Sequence, residues 1–438
     1  MQKIRSAALI ALLALVSFVP QGCNGTSQNS NQPNSNTSLA QPKIGKWIPQ
    51  FRSEYSKQIQ GTNLALFSYS SLSVVSAYVV CAAGEMPDPK NTNFRVGVFV
   101  RTTDGGNTWK EHLLRVPGLE DPALNSLHFV NPNTGWIVGV DGKQNGIVLK
   151  TTDGGETWEM SKPGFKQVPT TVFFADENTG WMGGVTLMPE NEQANARLNT
   201  GNQKPPTEAA PKKAGSKNQK PSSPPPPSDD EEEDEDTEER EGGPSDILTT
   251  TDGGKTWISQ RRIASSIVEI FFLNSNTGWA AGYNGVIYHT TNGGRTWSQQ
   301  RSEIEPLETF SAIQDDRMLR FALYGVHFFD EQNGMMAATT LGGDQGRVLG
   351  TTTSGAAWAR KWIVGDTGVR DVLMTSPIDA FAIVGNGTYV YRTVNGGASW
   401  LAEPIEFEQN MTFFRLGAAG PSKIWASAGG AIFFRVEQ

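Results

Sequence analysis

The sequence predicts an all-β protein: a seven-bladed β-propeller of four-stranded antiparallel blades, with an N-terminal strand closing the last blade. Three observations predict it. An eight-residue motif recurs six times along the 438 residues. A second motif, an apolar strand followed by an Asn-Gly-type turn and an aromatic, precedes each copy. The apolar runs are short and end in turn residues, and the chain is rich in glycine (47) and tryptophan (12) with only 19 % charged residues. Many short strands at a repeat of roughly forty residues are the mark of propeller blades.

The eight-residue motif is clearest at Thr102 to Trp109, Thr151 to Trp158 and Thr250 to Trp257. Thr290 to Trp297 carries Asn292 in place of aspartate. Thr351 to Trp358 has Thr353 there, and Thr393 to Trp400 has Asn395. Its pattern, Thr-x-Asp-x-Gly-x-Thr-Trp, resembles the Asp-box, or bacterial neuraminidase repeat. Asp104, Asp153, Asp252 and Asn292 are expected to accept backbone N–H bonds and close a tight turn. Trp109, Trp158, Trp257 and Trp297 then cover the turn and start the next strand. These are structural roles.

The upstream motif reads Leu127-His128-Phe129 to Asn133-Thr134-Gly135-Trp136, then Val172-Phe173-Phe174 to Asn178-Thr179-Gly180-Trp181, then Ile270-Phe271-Phe272 to Asn276-Thr277-Gly278-Trp279. Weaker copies pass through Met335, Phe381 and Trp425. The first, around Leu66 to Gly84, is read with Tyr78 at the aromatic position. Seven upstream motifs face only six eight-residue motifs, because the chain ends soon after Ile432 to Arg435. Gly45-Lys46-Trp47-Ile48 matches the end of a motif and its following strand. Residues near 46–52 are therefore expected to complete blade seven and remove two exposed edges.

Residues 1–22 read as an export signal. Lys3 and Arg5 precede an apolar core, Ala7 to Val19, too short to span a bilayer. Gly22-Cys23 at its end resembles a bacterial lipoprotein processing site, which implies lipidation of Cys23; plain signal cleavage is the alternative. Residues 23–43, poor in apolar side chains, read as a flexible tether. The propeller then occupies 44–438. The only other cysteine, Cys81, sits in an apolar run and reads as a buried small hydrophobe.

Two insertions interrupt the pattern. Residues 186–245 in blade three carry a Lys- and Pro-bearing stretch, four prolines and an acidic block from Asp229 to Glu241. That composition predicts disorder in a loop between second and third strands. A segment from Glu303 to Leu323 precedes blade five. Ile304, Leu307, Phe310 and Ile313 allow a short amphipathic helix there. The formal net charge of −8 comes largely from the acidic block. No basic stripe suggests nucleic-acid binding.

Together the motifs resemble the photosystem II stability and assembly factor family, over Leu66 to Gln438 less the insertions. The resemblance implies a seven-bladed propeller of the photosynthetic lumen that chaperones a membrane reaction-centre subunit. It implies a protein partner, no cofactor and no catalytic residues, in a monomer. Location follows the leader: exported to the periplasm or cell envelope, lipid-anchored, on the lumenal side if the source is photosynthetic. The rival is a carbohydrate-active propeller, sialidase- or glycosidase-like, which would need paired carboxylates or convergent arginines at the funnel. The four histidines, His112, His128, His289 and His327, offer no close pair for a metal. His128 and His327 share one slot in innermost strands and are expected to face a neighbouring blade.

One column draws a binding hypothesis. The residue before each eight-residue motif, or its equivalent, is Arg101, Lys150, Thr249, His289, Gly350, Arg392 and Arg435. Arg392, Arg435, Arg101 and Lys150 fall on consecutive blades and are expected to form a basic arc. The plain reading is four solvated strand ends. The functional one is an anion-binding arc for an acidic partner segment or for the chain's own acidic loop.

Overall fold

In the computed structural model the described residues are 44–55, 67–165, 167–185, 244–263, 265–300, 321–340, 345–364, 367–385, 389–406 and 412–437. The leader, Cys23, the tether, the acidic block and the segment around Ile304 to Ile313 lie outside them. Among these residues 28 strands form seven antiparallel sheets of four. The first strands of the blades are Ser68–Val74, Ala123–Phe129, Val168–Phe174, Ile267–Phe272, Phe321–Phe328, Val369–Met374 and Phe413–Ala418. Each touches the next in this order, and the last touches the first, so the ring is closed around a central channel.

Blade seven is completed by Gly45–Arg52, which pairs with Ala431–Glu437. Trp47 lies opposite Arg435 and Pro49 opposite Phe433. The closing strand is also latched to blade six. Trp47 N–H donates to Pro404 O at 2.9 Å, and Glu406 N–H to Trp47 O at 2.8 Å. Glu403 of blade six accepts from Gly45 N–H (2.9 Å), Trp47 Nε1 (3.0 Å) and the Arg435 guanidinium (2.7 Å). Glu403 and Arg435 are both almost completely buried. Each is held there by the other, because an ion that loses its partner inside a protein has no water to replace it.

The upstream motif has a steric basis. A Cβ on Gly135, Gly180, Gly278 or Gly334 would stand 2.5–2.6 Å from the ring of Phe129, Phe174, Phe272 or Phe328 in the neighbouring strand of the same blade. Glycine is required so that this phenylalanine can lie flat on the second strand. Across the blade boundary the tryptophan one residue on completes the contact. Trp136 stacks on Phe174 of blade three at 3.5 Å, Trp181 on Phe272 of blade four at 3.8 Å, and Trp279 on Phe328 of blade five at 3.4 Å. Such pairs contribute about 0.5–1.5 kcal/mol each beyond the area they bury.

Several boundaries differ from expectation. Ser245 already belongs to the third strand of blade three, and Phe321 to Leu323 to the first strand of blade five. At the second of these, the apolar side chains of Phe321 and Leu323 are buried in the sheet. Tyr78 does not take the aromatic slot of blade one. It sits in the first turn, 68 % exposed, while Cys81, fully buried, lies opposite Ser73 and Arg101 where other blades place tryptophan.

Replacing Glu403 by alanine leaves the buried Arg435 charge only the solvent-exposed Glu437 at 3.5 Å and should cost about 3 kcal/mol in urea unfolding. The double change Glu403→Leu with Arg435→Met should cost clearly less, since no buried charge is left. Equal losses from both would show that the latch acts by shape alone.

Candidate functional site: the motif face and the central channel

The eight-residue motifs join third and fourth strands and close as turns. Thr102 Oγ1 donates to Asp104 Oδ1 at 2.8 Å and accepts from Gly106 N–H at 2.9 Å. Asp104 accepts from Thr108 N–H at 2.9 Å and Thr108 Oγ1 at 2.6 Å. Gly105 and Gly106 have φ of 75° and 92°, where a side chain would be strained. The copies at Asp153 and Asp252 repeat this geometry. Asn292 and Asn395 keep the bond to the N–H four residues on. The hydrogen bonds from Thr108 and Thr256 hold Asp104 and Asp252 down at about 2. Such committed, exposed carboxylates do not behave as general acids at neutral pH. The indoles of Trp109, Trp158 and Trp257 donate back to the carbonyl of the motif's second glycine.

Each motif turn is bonded to the first-to-second-strand turn of its own blade, as in Gly154 N–H to Asn133 O and Gly253 N–H to Asn178 O. Both sets of turns therefore share one face of the ring. On this face the carbonyl at the motif's fourth position is claimed by the preceding blade in five of the six motifs. Trp136 Nε1 donates to Gly253 O, Trp181 Nε1 to Gly293 O and Trp279 Nε1 to Ser354 O, at 3.0–3.2 Å. Blade seven reaches Gly105 O through Gln50, which also accepts from Trp425 Nε1.

That rule explains the first member of the basic column. Blade one has Cys81 in place of tryptophan, and Arg101 opposite it donates from Nη1 to Gly154 O at 2.6 Å. The guanidinium does the work of the missing indole. Lys150 lies 5.1 Å over the Trp136 ring and has no ion pair among the described residues. Arg392 is bonded twice to Asp379 of its own blade, at 2.9 and 2.6 Å.

Arg435 does not join the arc. Pairing places Trp425 opposite Phe434, so Phe434 takes the column position and Arg435 the next one, equivalent to Thr102. A one-residue offset turns a strand side chain to the other face of its sheet. Arg435 thereby becomes the buried latch with Glu403, and the expected arc is broken at blade seven. The acidic insert also starts from the far side. Its flanking strands are Gly180–Val185 and Ser245–Thr250, and Val185 and Ser245 mark their ends away from the motif face.

The channel holds a charged cluster that linear reading did not assemble. Arg415 of blade seven reaches Glu269 of blade four at 2.9 Å, with Asp371 of blade six at 3.9 Å and Tyr324 O of blade five at 3.3 Å. Burial pushes Glu269 up to about 7, against the pull of Arg415. Burial raises Asp371 as well. It opposes the charge of Arg415, but Glu269 and Asp371 more than restore it. Asp371 also accepts from Leu416 N–H (2.8 Å) and Val372 N–H (2.9 Å). The signal for this cluster was the common register of these residues in first strands, two positions before the His128 slot.

His128 and His327 do face neighbouring blades. Nδ1 of His128 accepts from Phe174 N–H of blade three at 3.2 Å, and Nδ1 of His327 from Met374 N–H of blade six at 3.3 Å. Burial pushes each imidazole down to about 4. Among the described residues no group of three or more His, Cys, Asp or Glu is placed to hold a metal ion.

Such a ring, with its repeated turns and plugged channel, is a repeat propeller. Residues 90–185 match the family model described as photosynthesis system II assembly factor YCF48. The chain resembles that assembly-factor-like family, by sequence over this stretch and by fold over the ring. Comparison with curated proteins finds no significant match. Among solved structures, "YCF48 bound to D1 peptide" superposes with a TM-score of 0.52 at 15 % identity, over 85 % of this chain and 94 % of that one. The WD40 propeller domain of Doa1 gives 0.50 at 9 % identity, over 90 % and 98 %. A xyloglucanase of family GH74 from Xanthomonas campestris gives 0.51 at 10 % identity, over 88 % of this chain but 58 % of the enzyme. At these identities the likeness is one of fold.

The buried histidines should make the ring acid-sensitive. An unfolded histidine takes its proton near pH 6.5, whereas these two resist until about 4. Their contribution is therefore complete above about pH 6.5 and lost as pH falls toward 4. Glu269 acts in the opposite direction, its raised pKa favouring the fold as pH drops from about 7. The diagnostic is thus a difference. The drop in Tm between pH 7 and pH 5 should be smaller in a His128→Asn/His327→Asn double variant than in the wild type. Parallel curves would contradict it.

Proposed function

We propose that this chain is a non-catalytic, exported propeller that binds another protein, in the manner of photosystem II assembly factors. The match of residues 90–185 to the assembly-factor model carries this reading. A protein of the same fold was captured with a D1 peptide, and by that precedent the partner here is a segment of a membrane-protein subunit. The motif face offers suitable chemistry. Its first turns expose Tyr78 on blade one, Phe329 on blade five and Ile378 on blade six, at 68, 42 and 57 %. Arg101 and Lys150 lie on the same face. Exposed apolar groups beside cations suit a partner segment that carries both apolar and acidic residues. An acidic segment of the partner is the ligand we assign to these cations.

The leader belongs to the same proposal: Cys23 carries lipid and residues 23–43 tether the ring to the membrane, facing the lumen in a photosynthetic source. Changing Cys23 to serine should move the protein from the membrane pellet to the soluble fraction. Unaltered partition would leave signal cleavage alone as the explanation.

A hydrolase remains the second reading, because Glu269, Asp371 and Arg415 place two carboxylates and an arginine on the channel. Their commitment to one another weighs against it, since a glycosidase keeps its pair open to substrate. Turnover of a glycoside by the wild type, abolished in Glu269→Gln, would establish it.

For the binding reading, Tyr78→Ser, Ile378→Ser and Lys150→Gln together should weaken capture of photosystem subunits from solubilised membranes by about tenfold or more, as expected where exposed anchors dominate. These side chains are exposed or only partly buried, so the melting temperature should hold. Undiminished capture would place the interface elsewhere.

A further inference from the structure

Every first strand carries a register shift against its neighbour that leaves one extra residue at the channel. Bulges of this kind re-aim a side chain. In blades one to three the extra residue is small and polar, and it bonds to the next blade. Ser70 Oγ donates to Leu124 O, Asn125 Nδ2 to Pro169 O and Thr170 Oγ1 to Ile267 O, each at 2.7 Å. Their hydrogen-bonding capacity is spent on the ring itself.

Blades five to seven are different. Their extra residues are Tyr324, Arg370 and Phe414. The Arg370 guanidinium stands 5.5 Å over the Phe414 ring. Among the described residues it has no ion pair and no hydrogen bond. Burial and the nearby Arg415 guanidinium push Arg370 below the ordinary arginine value, and no carboxylate opposes them. The charge of Arg415 is meanwhile taken up by Glu269 and Asp371. Arg370 therefore holds a planar fork of donors, half-buried, flattened on an aromatic face, with nothing anionic to receive it. Partly desolvating a guanidinium without an acceptor is costly, whereas a carboxylate or phosphoryl group would accept the fork in two parallel bonds.

Arg370 is the second residue of Val369–Met374, whose other end lies at the motif face. The cluster thus lies at the opposite mouth of the channel, remote from Tyr78 and Ile378. We propose that Arg370, backed by Phe414 and bordered by Tyr324, binds the oxyanion of a small ligand, a carboxylate or a phosphoryl group, at this mouth. The site is independent of the protein-binding face, so either can fail without the other.

Calorimetric titration of the purified propeller with inorganic phosphate and with succinate, at constant ionic strength, tests it. Saturable binding of at least one is expected, and the stronger of the two assigns the chemical group. Arg370→Gln should weaken that binding at least about tenfold, the usual loss for a hydrogen bond to a charged group. Lys143→Gln, on the second-to-third-strand loop of blade two, should leave it unchanged. If Arg370→Gln does not fold, Arg370→Lys serves instead: it keeps the charge, loses the fork, and should weaken binding several-fold with an unaltered circular-dichroism spectrum. Absence of saturable heat in the wild type, or wild-type affinity in the folded Arg370 variant, would overturn the proposal.

Discussion

The ring depends on a side chain that crosses from one blade to the next and does two things there. The second-strand tryptophan stacks on the neighbour's phenylalanine and gives its N–H to the neighbour's motif turn, as Trp136 does with Phe174 and Gly253 O. Stacking supplies buried area, which is non-directional. The hydrogen bond supplies direction, since a buried indole N–H is costly unless it finds its acceptor. Together they set how far one blade is rotated from the next. The glycine before the tryptophan follows from this arrangement, because only there can the inner phenylalanine lie close enough to be stacked upon.

Where no indole reaches the next blade's motif carbonyl directly, another group can take its place. Arg101 reaches Gly154 O where Cys81 leaves no donor. Gln50, on the closing strand, links Trp425 to Gly105 O. The closure adds a stronger device, the Glu403–Arg435 pair, at the one place where the sheet is assembled from both ends of the propeller. A buried ion pair contributes little net stability when compared with a well-packed apolar pair, but it tolerates only one geometry. For a strand contributed from the far end of the domain, that selectivity fixes the register.

Most polar groups of the inner strands are occupied in holding blades together. Ser71, Ser73, Ser126, His128, Thr171, His327 and Asp371 each accept a backbone N–H from the adjacent blade. Two features among the described residues stand apart from this: exposed apolar turns on the motif face, and Arg370 at the far mouth. The carboxylates at the channel, Glu269 and Asp371, are paired with Arg415.

The repeated Thr-x-Asp-x-Gly-x-Thr-Trp and Asn-x-Gly-Trp patterns determined the blade count, the strand order and the closing role of Trp47. All of these follow from local turn chemistry and short-range apolar patterning, which the chain spells out residue by residue. What only the tertiary structure decided was the fate of individual charges and aromatics. Tyr78 left the aromatic slot of blade one to Cys81, which is buried in its strand as expected, and Arg435 left the basic column for the latch. Arg415, Glu269 and Asp371 met across blades 44 to 146 residues apart in sequence. In a strand an offset of one position reverses a side chain's face, and proximity around a ring is set by blade rotation. Neither quantity is written in any one repeat.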